Sequence, residues 1–248
     1  MTPPPDGYSA PDALFHPGGE LATPRGGGAS LPRYLVETYS WAYLTPRNVA
    51  LLDRQPVVWA ILWGNDRRLQ RAAFAELEPG QKVLLPAHVY GDFPLGLARF
   101  LGPQGRLEVI DIAPVQVENC RRKLAGFSQA RVRLADAASP GGGPYDAVCC
   151  FFLLHELPDD YKRQVVDALL ATITPSGKAV FIDYHKPHPA HPLKWPMNMV
   201  FDNLEPYAKG LWRNEIADFA SSAAMFSWRK QTYFGGLYQK TVACRLPG

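Results

Sequence analysis

From residue 82 onward, apolar positions alternate between short continuous runs and stripes at helical spacing. Val83–Leu85, Leu107–Asp111, Arg131–Leu134, Asp146–Phe152 and Lys178–Asp183 read as strands. Leu95–Leu101, Pro114–Leu124 and Asp160–Thr172 read as the helices between them. Pro114 suits a first helical position, where its fixed φ fits and no N–H is needed. Apolar strands alternating with helices predict an α/β, Rossmann-like fold with a mostly parallel sheet covered on both faces. The final stretch, Phe226–Arg245, predicts two further strands around Gly235-Gly236.

Upstream, residues 31–78 carry two apolar groups. Tyr34, Leu35, Tyr39, Trp41, Tyr43 and Leu44 come first, and Val57, Val58, Trp59, Ile61, Leu62 and Trp63 follow. Their spacing predicts two or three N-terminal helices, with Pro46 and Pro56 near helix ends. Residues 1–30 hold six Pro and six Gly, so they predict a disordered tail that buries too little to offset its ordering entropy. The expected organisation is this tail, a helical lid over residues 31–81, and a domain over 82–248 with a helical cap inserted at about 186–220.

Length and charge narrow the function. A chain of 248 residues fits one α/β domain with additions. A net charge of +3 gives no bulk attraction to nucleic acid, so none is expected as a partner. Cys120, Cys149, Cys150 and Cys244 form no metal-ligand spacing and are expected to be reduced, which suits a cytoplasmic setting. No apolar run is long enough to span a bilayer, and the N-terminus does not read as a secretory signal.

The chemistry gathers at predicted strand ends. Asp111 tips the second strand, where open α/β sheets bind ligands, and suits two hydrogen bonds to a ribose diol. Capping of the helix opened by Pro114 is its alternative role. Five of the six histidines follow strand ends: His88, His155, His185, His188 and His191. Tyr90, Asp92, Glu156, Asp183 and Tyr184 lie near them in sequence. This rim suits proton transfer or a divalent metal. His188 and His191 sit in a proline-rich loop and also read as solvated. Within the insertion, Trp195, Met197, Met199 and Phe201 fit an apolar channel, a bilayer-interface contact flanked by Lys194 and Lys209, or plain helix packing.

The segment Lys82-Val-Leu-Leu-Pro-Ala-His-Val-Tyr-Gly-Asp-Phe93 resembles the first strand and glycine loop of S-adenosylmethionine-dependent class I methyltransferases. Gly91, Asp92 and Phe93 keep that pattern, while Leu85 stands at its acidic position and Ala87 and Val89 at its earlier glycines. A β-branched Val89 is strained at positive φ, so the loop is expected to use ordinary dihedrals there. Four stretches carry a closer resemblance: Thr38–Asn48 and Ala87–Phe93, which are specific to one group, and Leu153–Pro158 and Thr232–Gln239, which that group shares with quinone C-methyltransferases. Over residues 31–245 the chain resembles the rhodoquinone biosynthesis methyltransferase-like proteins, relatives of quinone C-methyltransferases.

That resemblance implies a seven-stranded sheet closed at one edge by an antiparallel pair. It implies conversion of ubiquinone to rhodoquinone, an amino group replacing a ring methoxy group, with S-adenosylmethionine as amino donor and manganese as aid. By the same likeness Asp111 takes the ribose and Asp136 the adenine side, with a solvated loop acid before Ser139-Pro140 as the alternative for Asp136; His88, Gly91, Ile112 and Ala137 beside them are further cofactor-binding candidates. His155, Tyr90, Asp92 and Tyr184 become catalytic candidates, with His155 or Tyr90 as the base. Asp183 and His185 lie two apart at a strand end, which sends them to the same side, and with Glu156 they are candidate metal ligands; Tyr39, Trp41, Tyr43, Trp195 and Met199 are candidate quinone contacts, with core packing as the alternative for the three N-terminal aromatics. Ubiquinone as partner implies peripheral contact with the inner membrane face. The oligomeric state is left open. Two other functions fit the same residues: a conventional methyltransferase acting on a quinone or lipid phenol, and a non-catalytic protein that binds S-adenosylmethionine or quinone.

Overall fold

A computed structural model describes residues 46–247, together with Pro32, Leu35 and Thr38. The expected tail and Tyr39, Trp41 and Tyr43 lie outside these residues.

Three helices come first: α1 (Pro46–Leu52), α2 (Gln55–Ile61) and α3 (Asp66–Phe74). The α/β part follows as β1 (Lys82–Leu85), α4 (Phe93–Leu101), β2 (Arg106–Asp111), α5 (Pro114–Leu124), β3 (Ala130–Leu134) and β4 (Tyr145–Phe151). A 3-10 turn at Leu154–Glu156 then leads to α6 (Asp159–Ala171) and β5 (Ile173–Tyr184). Between β5 and the last hairpin lie α7 (Lys194–Asn203) and α8 (Gly210–Arg213). Strands β6 (Phe226–Tyr233) and β7 (Tyr238–Arg245) end the chain.

The seven strands form one sheet in the order β3-β2-β1-β4-β5-β7-β6. Pairings among β1 to β5 are parallel, and β7 runs antiparallel to both β5 and β6. This is the predicted α/β architecture with its antiparallel edge. Alternation along each strand sends side chains to two cores. Val83, Leu85, Val109, Cys149 and Ile182 pack with α3, α4 and α5 on one face. Leu84, Ile110, Cys150 and Phe181 pack with α6 on the other. The adjacent Cys149 and Cys150 therefore enter opposite cores, and both are free thiols.

The strand order reverses between β1 and its neighbours β2 and β4, so their carboxyl ends open a crevice there. Two local features shape that crevice. Pro94 lies in the first turn of α4, which starts directly after the loop from β1. Phe152 leaves β4 in the left-handed region, at φ 51. That conformation is uncommon for an aromatic residue and costs on the order of 1–3 kcal/mol. It turns the Phe152 ring toward His155 and Tyr184, with centroids 5.8 and 5.3 Å away.

The inserted α7 and α8 are pinned by Lys162, whose side chain is fully buried. Its ammonium meets Asp159 Oδ1 at 2.7 Å and the Tyr207 carbonyl at 2.9 Å, tying α6 to the insertion. No helix among the described residues is long and apolar enough to cross a membrane.

Candidate active site

A cavity lies over the carboxyl ends of β1, β2 and β4, beneath the N-terminal helices. It brings together His88, Tyr90, Asp111, Ile112, Asp136, Ala137, His155, Glu156 and Tyr184, all of them sequence candidates. Asp66 and Glu205 add two carboxylates. Among the described residues, no lysine or arginine lines it. The carboxyl groups outnumber the one protonated imidazole, His155, that faces them, and this favours a positively charged ligand.

Asp111 sits at the tip of β2 and is half-buried. Its Oδ1 accepts the Ala113 N–H at 2.8 Å and its Oδ2 the His88 N–H at 2.9 Å. Each oxygen keeps a second lone pair for a ligand hydroxyl. Burial pushes the carboxyl up to about 6, against the backbone N–H groups that hold it down. Asp136 accepts the Ala138 N–H on Oδ1 at 2.8 Å and the Tyr161 hydroxyl on Oδ2. An amino group meeting Asp136 would share an oxygen already in use.

His155 is buried in the turn after β4, and its Nδ1 lies 2.9 Å from Asp183 Oδ1. Asp183 is held in turn: its Oδ2 accepts the Leu154 and His155 N–H groups at 2.9 and 3.3 Å, and its Oδ1 the Tyr184 N–H at 2.8 Å. Burial alone would lower the imidazole's affinity for a proton. The Asp183 charge and hydrogen bond outweigh it, with Glu205 and Glu156 adding to them, and raise the value to about 9. The imidazole thus has Nδ1 bound to Asp183, while Nε2 lies 3.8 Å from Glu156 Oε1. Phe152 and Tyr184 stand edge-on to it, at 5.8 and 5.0 Å.

Several expected residues lie elsewhere or act differently. Asp183 is 1% exposed and sits behind His155. His185 turns away, with Nδ1 on the Gly236 carbonyl at 2.8 Å and Nε2 3.4 Å from Lys230 Nζ. Pairing of β5 ends at Tyr184, so strand alternation does not carry His185 to the side of Asp183. Among the described residues, no three His, Cys, Asp or Glu side chains are arranged to hold a metal. The set Asp183, His185 and Glu156 therefore does not fit manganese. Asp92 is exposed and does not line the cavity, since its backbone starts α4 and points its side chain outward. Burial raises the Tyr90 phenol well above its usual range, so it stays protonated and is a hydrogen-bonding group, not a base. Burial does the same to Tyr184.

Trp195 and Met199 are 71% and 47% exposed, outside the cavity. Helix α7 turns Met197 and Phe201 inward instead. His188 and His191 accept the backbone N–H groups of Ala190 and Leu193, and so stabilise turns.

The rebuilt glycine loop keeps ordinary dihedrals at Val89, while Gly91 has φ 75. Gly91 does not line the cavity because α2 and the turn before it cover the loop. Asp53 Oδ1 accepts the Gly91 N–H at 2.8 Å, and Gln55 Oε1 accepts the Asp92 N–H at 2.8 Å. Lys123 bridges Asp53 and the Gly91 carbonyl, at 2.5 and 2.8 Å. Sequence reading missed these ties, and also Gln116, Tyr161 and Glu205. Only the position of Gln116 in the first turn of α5 hinted at a site.

A Cβ on Gly91 would stand 2.5 Å from Gln55 Oε1. Gly91→Ala is expected to cost about 2–3 kcal/mol in denaturant unfolding, from positive φ plus loss of the Gln55 contact. Gly80→Ala, at φ +85 with open space around it, is expected to cost only about 1 kcal/mol. Equal losses would mean that the contact with α2 carries no weight.

Comparison with known proteins bears on the fold and the domain. Residues 87–177 match the family model described as a methyltransferase domain. The fold is that of a class I methyltransferase. A possible exported protein from Bordetella parapertussis aligns with TM-score 0.60 at 20% identity, over 82% of this chain and 74% of that one. A SAM-dependent methyltransferase from Aquifex aeolicus aligns with TM-score 0.53 at 15% identity, over 82% of this chain and 99% of that one. The mitomycin 7-O-methyltransferase MmcR aligns with TM-score 0.60 at 14% identity, over 81% of this chain and 58% of that one. No curated protein matched in the sequence comparison.

Proposed function

We propose that this chain is an S-adenosylmethionine-dependent methyltransferase acting on a hydroxyl of an aromatic ring, in the class of quinols and lipid phenols. One observation carries the reading: the Asp183–His155 pair opens onto a cavity walled by Phe93, Phe151, Phe152 and Tyr184. Aromatic walls suit a flat ring. The methyltransferase-domain match and the fold support the cofactor class.

When bound, S-adenosylmethionine supplies an electrophilic methyl group on a sulfonium. Asp111 is suited to its ribose, and the cavity's carboxylates favour its positive charge. His155 Nε2 takes the hydroxyl proton, leaving the ring oxygen as nucleophile. Asp183 fixes the tautomer and stabilises the imidazolium that results. The aromatic wall holds the ring and excludes water. No step passes through manganese.

A second reading is favoured by Leu85, which is fully buried where the resembling motif has an acid. Without that acid, the amino end of a bound cofactor would be held by one carboxylate fewer and would supply a nitrogen nucleophile toward the ring of ubiquinone, methoxide leaving the ring and the nitrogen's bond to the rest of the cofactor breaking in a later step. The outward Trp195 and Met199, beside Lys194, are the surface we propose for peripheral lipid contact.

Incubation with amino-15N, methyl-13C S-adenosylmethionine and either ubiquinone or its quinol, with and without manganese, tests both readings. Methyl label in the ring product is expected. Nitrogen label would favour amination, and an unlabelled ring would leave only a binding role.

A further inference from the structure

His88 is 7% exposed, lines the cavity, and carries a buried nitrogen, Nε2, with no hydrogen-bond partner. Its other nitrogen settles which kind of group this is. Nδ1 lies 2.8 Å from Gln116 Oε1. Gln116 is oriented by donating from Nε2 to the Tyr90 hydroxyl at 2.7 Å, so its oxygen is the atom facing His88. An amide oxygen only accepts, so Nδ1 carries the hydrogen and Nε2 presents a bare lone pair. The backbone strengthens the arrangement, because the His88 N–H is fixed to Asp111 Oδ2 at 2.9 Å. Burial, with the nearby Lys123 charge, lowers the imidazole to about 4, so it stays neutral and keeps that lone pair.

A buried acceptor without a donor costs stability and is seldom left so. Here it stands beside the carboxylate suited to the ribose, on the loop that resembles a cofactor loop. A ligand held at Asp111 therefore has a second requirement on this side: an N–H donor. We propose that His88 Nε2 is the receptor for the α-ammonium group of the cofactor's amino-acid end, held in register by Gln116 and Tyr90. This rests on the S-adenosylmethionine reading above and deepens it. A neutral acceptor at His88 then stands in for the acid that the resembling motif carries where this chain has Leu85.

Three nucleosides separate the possibilities by calorimetry: S-adenosylhomocysteine, its decarboxylated amine S-adenosyl-3-thiopropylamine, and 5′-methylthioadenosine, which has neither end group. His88→Leu is expected to weaken the first two by about tenfold or more, as for a lost hydrogen bond to a charged group. It is expected to leave 5′-methylthioadenosine within about twofold, and His88→Gln should regain part of the loss through its carbonyl oxygen. Equal weakening of all three would overturn the proposal and make His88 a prop for the loop. So would unchanged binding of all three. Failure of the unaltered protein to bind any of them would remove the cofactor reading itself.

If the leucine variant does not fold, nitrogen NMR of the unaltered protein decides. S-adenosylhomocysteine should shift His88 Nε2 strongly and Nδ1 little, while 5′-methylthioadenosine should shift neither. A still Nε2 signal with bound S-adenosylhomocysteine would refute the assignment.

Discussion

Asp183→Asn is expected to lower turnover by about 10²–10⁴-fold while the protein still binds its cofactor. An amide cannot accept on both sides. Its oxygen suits the Leu154 and His155 N–H groups, which leaves its NH₂ facing His155 Nδ1 and the Tyr184 N–H. The imidazole must then carry its hydrogen on Nε2, the wrong tautomer for taking a proton. The same pair has opposite effects on rate and stability. A base works when deprotonated, so kcat/KM should rise with pH toward a plateau above about 9, the value at which His155 loses its proton. Stability should move the other way. The folded value is raised above the ordinary 6.5, so the stabilisation is full below that pH and is lost as pH climbs through about 9. The loss is on the order of 3 kcal/mol. In Asp183→Asn both pH dependences should disappear from that window. A stability profile that stays flat from pH 7 to 10 in the unaltered protein would sink this account of His155.

Asp111→Asn should weaken S-adenosylhomocysteine by about 10–100-fold, read by calorimetry. The carboxylate accepts two backbone N–H groups and retains lone pairs on both oxygens for a diol. The amide keeps one acceptor and turns a donor toward either the Ala113 or the His88 N–H. A second readout separates ligand contact from loop damage. 5′-Methylthioadenosine, which shares the ribose, should weaken equally, while 5′-methylthio-2′,3′-dideoxyadenosine should bind both proteins alike. Undiminished binding of S-adenosylhomocysteine to the variant would remove Asp111 from the ribose role.

The sheet was legible because its signal is local. Strands such as Val83–Leu85 and Asp146–Phe152 are apolar on both faces, and the helices between them keep their own period. Asp111 was legible for the same reason, being the acid at the end of one such run. Contacts between distant residues were not. Asp53 reaches Gly91 across 38 positions, and His88 reaches Gln116 across 28. Nothing in either short stretch announces the other.

The insertion failed in a different way. On α7, Trp195 and Met199 form one helical stripe, and Met197 and Phe201 another. Both stripes are apolar, so periodicity could not choose between them, and only packing turned Met197 and Phe201 inward. Among candidate metal ligands, two-residue alternation was extended one step too far. It holds along β5 but ends where β5 ends, before His185.

The fastening of Asp53 and Gln55 onto the loop from β1 bears on how this protein can be cut and recombined. A fragment trimmed to start at Lys82 would look whole on paper, since every strand and the matched domain would be inside it. It would nevertheless have two amides stripped of their acceptors and a lysine deprived of its carboxylate, all around the loop that follows β1. The leading helices are thus a built-in clasp on that loop, and grafting or shortening this scaffold must carry them along.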